Sequence, residues 1–208
     1  MSNQTLPGTL YIFSAPSGAG KTSLVNGLLD QTDNLCVSIS HTTRPPRPGE
    51  LHGKDYFFID IPAFEAMRDD GQFLEHARVF DNYYGTAAAT VDSQLKQGTD
   101  TILEIDWQGA EQVRKLYPAC VSIFIIPPSR SELENRLKSR GQDDNSVIAR
   151  RMRDAANEIA HYAAFDYLVI NDDFEHALEN LKAIVLAQRQ RIDRQVRAQE
   201  QLLQQLLS

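Results

Sequence analysis

The sequence predicts an α/β protein: a parallel sheet core with helices on both faces. Three observations carry this. Five short apolar runs, 10-LYIF-13, 36-CVSI-39, 101-TILEI-105, 121-VSIFII-126 and 167-YLVI-170, read as strands buried on both sides. Helical patterns lie between most of them, as crossover connections require. A glycine-rich stretch, 14-SAPSGAGKTS-23, joins the first strand to a helix.

After the first strand, the helix 20-GKTSLVNGLLD-30 sets Leu24, Val25 and Leu28 on one side. Residues 40–90 then break the alternation. A proline-rich loop, 44-RPPRPGE-50, precedes 56-YFFI-59 and 73-FLEHARVF-80, which read as half-exposed antiparallel strands. Pro62 suits the first turn of a short helix between them. The stretch reads as an inserted subdomain. The strand at 101–105 leads to a helix from Trp107 to Tyr117, stopped by Pro118. The next helix begins at Ser129, with Glu132 at capping-box spacing. Residues 131–157 depart again from the alternation, as a helix, the turn 141-GQDDN-145 and another helix, rich in arginine. The last helix starts near Asp172. Beyond Ala187, Ile192, Val196, Leu203 and Leu206 continue an apolar stripe among arginines and glutamines. This predicts an amphipathic helix running past the core. Its stripe either pairs with a second copy, making a homo-oligomer, or frays in solvent.

Bulk properties narrow the function. A length of 208 residues suits one domain with its own core. The net charge of -7 argues against a nucleic acid partner, which needs an excess of basic surface. Cys36 and Cys120 lie in or beside apolar runs and read as buried thiols in a reducing compartment. The segment 1-MSNQTLPGT-9 has no signal-peptide pattern, and the apolar runs are far short of a membrane span. A cytoplasmic protein with no membrane association is expected.

The glycine-rich stretch carries the first chemistry. Glycine permits positive φ, so backbone amides can ring a phosphate at the positive end of a helix. Lys21 would reach the outer phosphates, and the Thr22 hydroxyl can ligate Mg²⁺. The usual pattern is G-x-x-x-x-G-K-[ST]; here Ala15 takes the first position, beside Pro16. That position mainly sets the turn into the loop, so a small residue is tolerable. A second cluster, Arg44 and Arg47, stands on a loop stiffened by Pro45, Pro46 and Pro48. Two guanidiniums suit bidentate capture of one phosphate, although a solvated basic loop would look the same.

The ordered motifs 16-PSGAGKT-22, 41-HTTRPPRPGE-50, 53-GKDYFF-58, 82-NYYGT-86, 102-ILEIDWQG-109, 127-PPS-129 and 170-INDD-173 decide more. With them the chain from Leu10 to about Ala187 resembles the guanylate kinase family, ATP-dependent enzymes that convert GMP to GDP. The resemblance implies a P-loop nucleoside monophosphate kinase fold. It divides the single domain into a core (1–39, 91–130 and 158–187), a GMP-binding subdomain (40–90) and a lid (131–157), followed by a helical extension (188–208). ATP and GMP are the implied partners, with Mg²⁺ accompanying ATP.

By the same resemblance, Ala15, Pro16, Ser17, Gly18, Ala19, Gly20, Lys21, Thr22, Ser23 and Asn171 form the ATP site. Arg44, Arg47, Tyr56 and Tyr84 hold the GMP phosphate. Ser40, Glu75 and Thr86 read the guanine, with Gly85 in the same motif. A carboxylate accepts guanine's N1–H and 2-amino group together, and adenine offers no such pair. Glu104 and Asp106 face the same way at the end of a strand, where ligands of such sheets lie. Family members often have Asp in place of Glu104, so its part in holding guanine or a water is open. Asp106 is a partner for hydrated Mg²⁺ or simply a helix cap. The lid positions matching phosphate-binding arginines are Arg136, Arg140 and Arg151, which with Lys21 make the catalytic set. Arg150 and Arg153 have no such match and read as surface charges facing Asp143, Asp144 and Asp154. The five histidines show no metal-ligand spacing, and His41 reads as structural.

Two rival readings stand beside this one. The first is the same transfer to another acceptor such as UMP, dTMP or AMP, against which Glu75, Ser40 and Thr86 argue. The second is a non-catalytic scaffold of the same family; such modules typically lack a working phosphate loop, and 18-GAGKT-22 is intact.

Overall fold

The computed structural model describes residues 6–79, 81–139 and 145–208. In chain order the elements are β1 (Leu10–Ser14), α1 (Lys21–Asp30), β2 (Leu35–Val37), β3 (His41–Thr42), β4 (Phe57–Phe58), α2 (Ile61–Asp69), β5 (Phe73–Val79), β6 (Asn82–Ala87) and α3 (Ala88–Lys96). There follow β7 (Asp100–Glu104), α4 (Trp107–Leu116), β8 (Val121–Ile126), α5 (Arg130–Ser139), α6 (Asn145–Ile159), β9 (Tyr167–Ile170), α7 (Phe174–Arg189), α8 (Ile192–Ala198) and α9 (Glu200–Leu207).

The main sheet has the order β2-β7-β1-β8-β9, and every pair in it is parallel. Its central strand β1 is buried along its whole length. Because side chains alternate along a strand, Tyr11 and Phe13 pack on one face with α1 and α7, against Leu24, Leu28, Leu178 and Leu181. Leu10 and Ile12 pack on the other, with Val91 and Leu95 of α3 and Val113 of α4. Each such side chain, fully buried, contributes roughly 1.5–3 kcal/mol, so both helix layers are needed to keep the sheet. The strand ends thus point their loops toward one edge, where the loop after β1 lies.

A second sheet has the order β4-β3-β6-β5. The sequence reading had 56–59 and 73–80 as antiparallel strands. β5 does pair antiparallel with β6, but β4 runs parallel to β3, with His41 opposite Phe57. The strand β6 carries the sheet between them; its Tyr- and Gly-rich sequence, 82-NYYGTA-87, gave no alternating signal. β5 is half-exposed as expected, with Leu74, Glu75 and Ala77 buried and His76 and Arg78 exposed. Asp60 caps α2 by accepting from the Ala63 amide at 2.8 Å, and Pro62 stands in its first turn. The helices α5 and α6 pack through their own small core of Leu133, Leu137, Ile148, Met152 and Ala155. Ser129 caps α5 by accepting from Glu132 N at 3.1 Å. Of the expected turn at 141–145, residues 141–144 lie outside the described residues, and Asn145 opens α6.

The C-terminal extension is not the single helix that its periodicity suggested. It is broken after Arg189 and again at Gln199, into α7, α8 and α9. The first break has a polar cause. Asp100, 1% exposed, accepts at Oδ1 from the Thr9 amide at 2.6 Å and at Oδ2 from Arg189 Nε at 2.8 Å, while Arg194 approaches Oδ1 at 3.6 Å. Arg194 also reaches the Thr9 hydroxyl. A straight helix would carry Arg194 away from this carboxylate; the extended Arg191, at φ -58 and ψ 140, turns it back. Among the described residues no helix is long and apolar enough to cross a membrane. Both cysteines are unpaired and half-buried, less enclosed than their apolar surroundings implied.

The Asp100 cluster yields a first prediction. Asp100→Ala leaves two guanidiniums without their buried partner and should cost about 3 kcal/mol in urea unfolding. Arg191→Ala breaks only the exposed pair with Asp193 and should cost under about 0.5 kcal/mol. Equal effects would show that Asp100 does not organise the start of the extension.

Candidate active site

The loop from Ala15 to Gly20 leaves β1 and turns into α1. Gly18 and Gly20 both have positive φ, at 93° and 92°, a conformation that side chains resist. Ala15 does not, so the glycine of the usual pattern is not needed there. The loop closes on itself through Ala19 N to Pro16 O at 3.1 Å, and α1 starts with Leu24 N to Gly20 O. Its back is held by Asn171, whose Nδ2 donates to Ala19 O at 2.7 Å. Asn171 is nearly buried and lies against Gly20, where a Cβ would stand 2.4 Å from that amide nitrogen. At the front, Ser17 N donates to Glu158 Oε2 at 3.3 Å.

This loop opens on a cavity of about 710 Å³. Ala15, Ser17, Lys21, Thr22 and Ser23 line one side; Ser40, Arg44, Arg47, Tyr56, Glu75 and Tyr84 line the other, with Glu104 and Asp106 between. Pairing in the second sheet explains the gathering. β3 and β6 lie side by side, so Ser40, which leads into β3, meets Thr86 of β6, with their hydroxyls 3.3 Å apart. β6 pairs with β5, placing Glu75 opposite Thr86, whose hydroxyl donates to Glu75 Oε1 at 2.6 Å. Gly85, next in line, is filled over by the Phe73 ring and does not line the cavity.

Charge in the cavity is unevenly compensated. Glu75 is 3% exposed, and burial pushes its carboxyl up to about 7; Asp106 adds to the rise and Thr86 opposes it. Glu158 is also pushed up to about 7, chiefly by burial. Tyr56 is pushed up to about 12, by burial first and by Glu104 next. Arg44 is held by Glu50 at 2.8 Å and by Pro45 O at 2.8 Å, and its guanidinium stands 5.5 Å over the Tyr56 ring. The same hydrogen bond from Arg44 keeps Glu50 below the usual carboxylate range. Glu50 also accepts from Arg47 N at 2.7 Å, so one carboxylate staples the proline-rich loop at both arginines.

Glu104 sits on the phosphate-loop side, accepting from Thr22 Oγ1 at 3.2 Å and lying 3.5 Å from Lys21 Nζ. Asp106 caps α4, accepting from Gly109 N at 3.0 Å and from Gln108 Nε2 at 2.9 Å. The helix-cap reading of Asp106 is therefore realised, while its side chain still reaches the cavity wall. Among the described residues no three acidic or histidine side chains converge as a ready metal site. A hydroxyl and two carboxylates beside a phosphate loop do fit Mg²⁺, which takes one or two carboxylates plus waters and substrate phosphates.

The arginine-rich helices contribute less directly here. Arg136 is bonded to Glu132 at 2.8 Å and to Asn171 O at 3.0 Å, and so touches the residue behind the phosphate loop. Arg140 lies outside the described residues. Arg151 is on α6 and is not among the residues lining the cavity. Arg150 faces Asp154 at 3.9 Å and Asp81, just before β6, at 4.0 Å. His41 stacks on Phe57 at 4.8 Å, and among the described residues it joins no group of three potential metal ligands. Sequence reasoning missed Glu50 and Glu158. Glu50 closes the motif 44-RPPRPGE-50, three and six positions from the arginines it holds. Glu158 is 141 positions from Ser17, and nothing local announces the contact.

The family model described as guanylate kinase matches residues 7–188. A guanylate kinase from Methylococcus capsulatus is 58% identical over 200 residues, spanning 96% of this chain and 98% of its own. One from Hahella chejuensis is 60% identical over 196 residues, 94% of each chain. The crystal structure of guanylate kinase from Anaplasma phagocytophilum superposes with a TM-score of 0.77 at 34% identity, covering 91% of this chain and 90% of that one.

The two raised carboxyls generate a prediction. Both pKa values stand near 7, above the ordinary 4.5. Between these values the folded chain binds more protons than the unfolded one, so stability falls as pH rises through that window. Glu75→Gln and Glu158→Gln remove the cost of ionising a buried acid. At about pH 8 each should melt higher than the parent, by roughly 2–4 °C per kcal/mol recovered. The difference should shrink toward zero near pH 4.5. Calorimetric scans at both pH values check this; no gain at the higher pH would mean the carboxylates are well solvated.

Proposed function

Since the chain belongs to the guanylate kinase family, we propose that it transfers the γ-phosphoryl group of ATP to the α-phosphate of GMP, giving ADP and GDP. The observation that carries this reading is one cavity lined by a phosphate loop on one side and, on the other, by an arginine–tyrosine cluster beside a buried carboxylate. In this reading the loop amides and Lys21 hold the ATP phosphates. Arg44, Arg47, Tyr56 and Tyr84 hold the GMP phosphate by charge-assisted hydrogen bonds. Glu75, steadied by Thr86 and Ser40, accepts guanine's N1–H and 2-amino group.

The reaction needs no covalent intermediate. An oxygen of the GMP phosphate forms the new bond to the γ-phosphorus as the bond to the ADP oxygen breaks. Positioning and cationic charge do most of the work in such transfers. Lys21, Arg136, Arg140 and Arg151 supply that charge from the chain. Magnesium, held by Thr22 and through water by Asp106, would neutralise further phosphate charge. Glu104, between Lys21 and Thr22, orients both. Residues 40–90 and 131–157 act as the GMP-binding subdomain and the lid over the core. Both cysteines are unpaired, which agrees with a cytoplasmic setting.

The extension supports a further part of the proposal, assembly of a homo-oligomer. Ile192, Val196, Leu202, Leu206 and Leu207 are exposed on α8 and α9, and neither helix buries a residue. Short helices with an uncovered apolar side are poorly stable alone. Deleting residues 190–208 should lower the mass seen by light scattering while leaving turnover near that of the full chain. A full-length chain that is already monomeric at micromolar concentration would refute this part.

A coupled assay with ATP and a panel of monophosphates tests the main reading. GMP should be favoured over AMP, UMP and dTMP by about 10⁴-fold or more in kcat/KM. Lys21→Ala should keep the fold and reduce kcat by orders of magnitude, because its charge acts most on the transferring group. Comparable turnover with AMP, or near-normal kcat in Lys21→Ala, would overturn the assignment.

A further inference from the structure

We infer that Gly109 is a specificity-determining positioning residue: its missing side chain forms the socket in which the Glu75 carboxylate is seated. This rests on the reading of Glu75 as the acceptor for guanine. Gly109 is in the first turn of α4, within ordinary helix, and needs no special φ. Its distinction is proximity. A Cβ at position 109 would lie 2.4 Å from Glu75 Oε2, 3.1 Å from Glu75 Cδ and 3.3 Å from Ile105 Cβ. The first of these is far inside van der Waals contact, so a methyl group there forces the carboxylate to move.

The carboxylate has little freedom to yield elsewhere. Its other oxygen accepts from Thr86 at 2.6 Å, and the side chain is almost wholly enclosed. One turn further along α4, Gln112 clamps the neighbouring backbone: His76 N donates to its Oε1 at 3.1 Å, and its Nε2 donates to His76 O at 2.8 Å. This pair of hydrogen bonds between a helix side chain and a strand fixes β5 against α4 beside Glu75. With the strand held by Gln112 and one oxygen by Thr86, the methyl of an alanine would rotate the carboxylate plane away from the cavity. Two hydrogen bonds to one base depend on that plane.

The test compares four chains: the parent, Gly109→Ala, Glu75→Ala and Glu75→Asp combined with Gly109→Ala. IMP lacks the 2-amino donor, so the ratio of kcat/KM for GMP over IMP reports how the carboxylate faces the base. Gly109→Ala should lower kcat/KM for GMP roughly tenfold or more and shrink the ratio. KM for ATP should hold, and melting should fall only modestly, because alanine's better helix formation offsets part of the crowding at Glu75. The shorter aspartate leaves room for the methyl group, so the double variant should regain part of the lost ratio. If Glu75→Ala abolishes the preference while Gly109→Ala keeps both the efficiency and the ratio, the inference fails and the reading of Glu75 stands. A preference that survives Glu75→Ala overturns the reading and the inference together. If Gly109→Ala unfolds the chain and the double variant does not restore it, the clash is not with Glu75 and the inference fails.

Discussion

A carboxylate removed from water must be met by donors or kept neutral, and Glu75 is the point where this constraint bears hardest on the molecule. It is met by Thr86 alone among the described residues, through the hydroxyl and the backbone, and burial holds its proton to near neutrality. The arrangement around it follows. β6 must lie between β3 and β5 to bring Thr86 opposite Glu75 and Ser40 beside Thr86. β5 must dock on α4, which Gln112 secures. The free protein carries an under-satisfied acceptor; a base offering two donors would relieve it. Binding energy for guanine is thus stored as incomplete solvation, at a cost in stability of the empty protein.

The phosphate side obeys the opposite rule. There the protein presents donors, and its own carboxylates stand near them. Glu158 takes the Ser17 amide, Glu104 takes Thr22 and approaches Lys21, and Glu50 takes Arg44. Acids balance cations on both sides of one cavity, which lets arginines and a lysine gather without mutual repulsion. Arriving phosphates then compete with these internal anions, and the surrounding groups are already oriented for them.

What the sequence disclosed follows the range of the interactions. The phosphate loop is local: a strand, two glycines and a lysine within a dozen positions, readable without partners. The core strands were equally plain, since burial on both faces leaves continuous apolar runs. The second sheet was harder. Short β3 and β4 have two residues each, too few for alternation, and their parallel pairing depends on neighbours far along the chain. Glu75 lies in a strand whose pattern reads as half-exposed, and its enclosure comes from α4 and Thr86. The tail showed the period of a helix but not its breaks, because Asp100, which draws Arg189 and Arg194, lies 89 positions before the first of them. Glu158 and the socket at Gly109 had no local signal at all.

Glu75 must be ionised to hold the base, yet burial pushes its carboxyl up to about 7, so the protein alone keeps it partly protonated near neutrality. Calorimetric titration of GMP at about pH 6.5, repeated in buffers of different ionisation enthalpy, measures the protons released on binding. The account predicts release of a substantial fraction of a proton in the parent chain that is absent when Glu75 is replaced by Gln. Equal proton release in the two chains would contradict it.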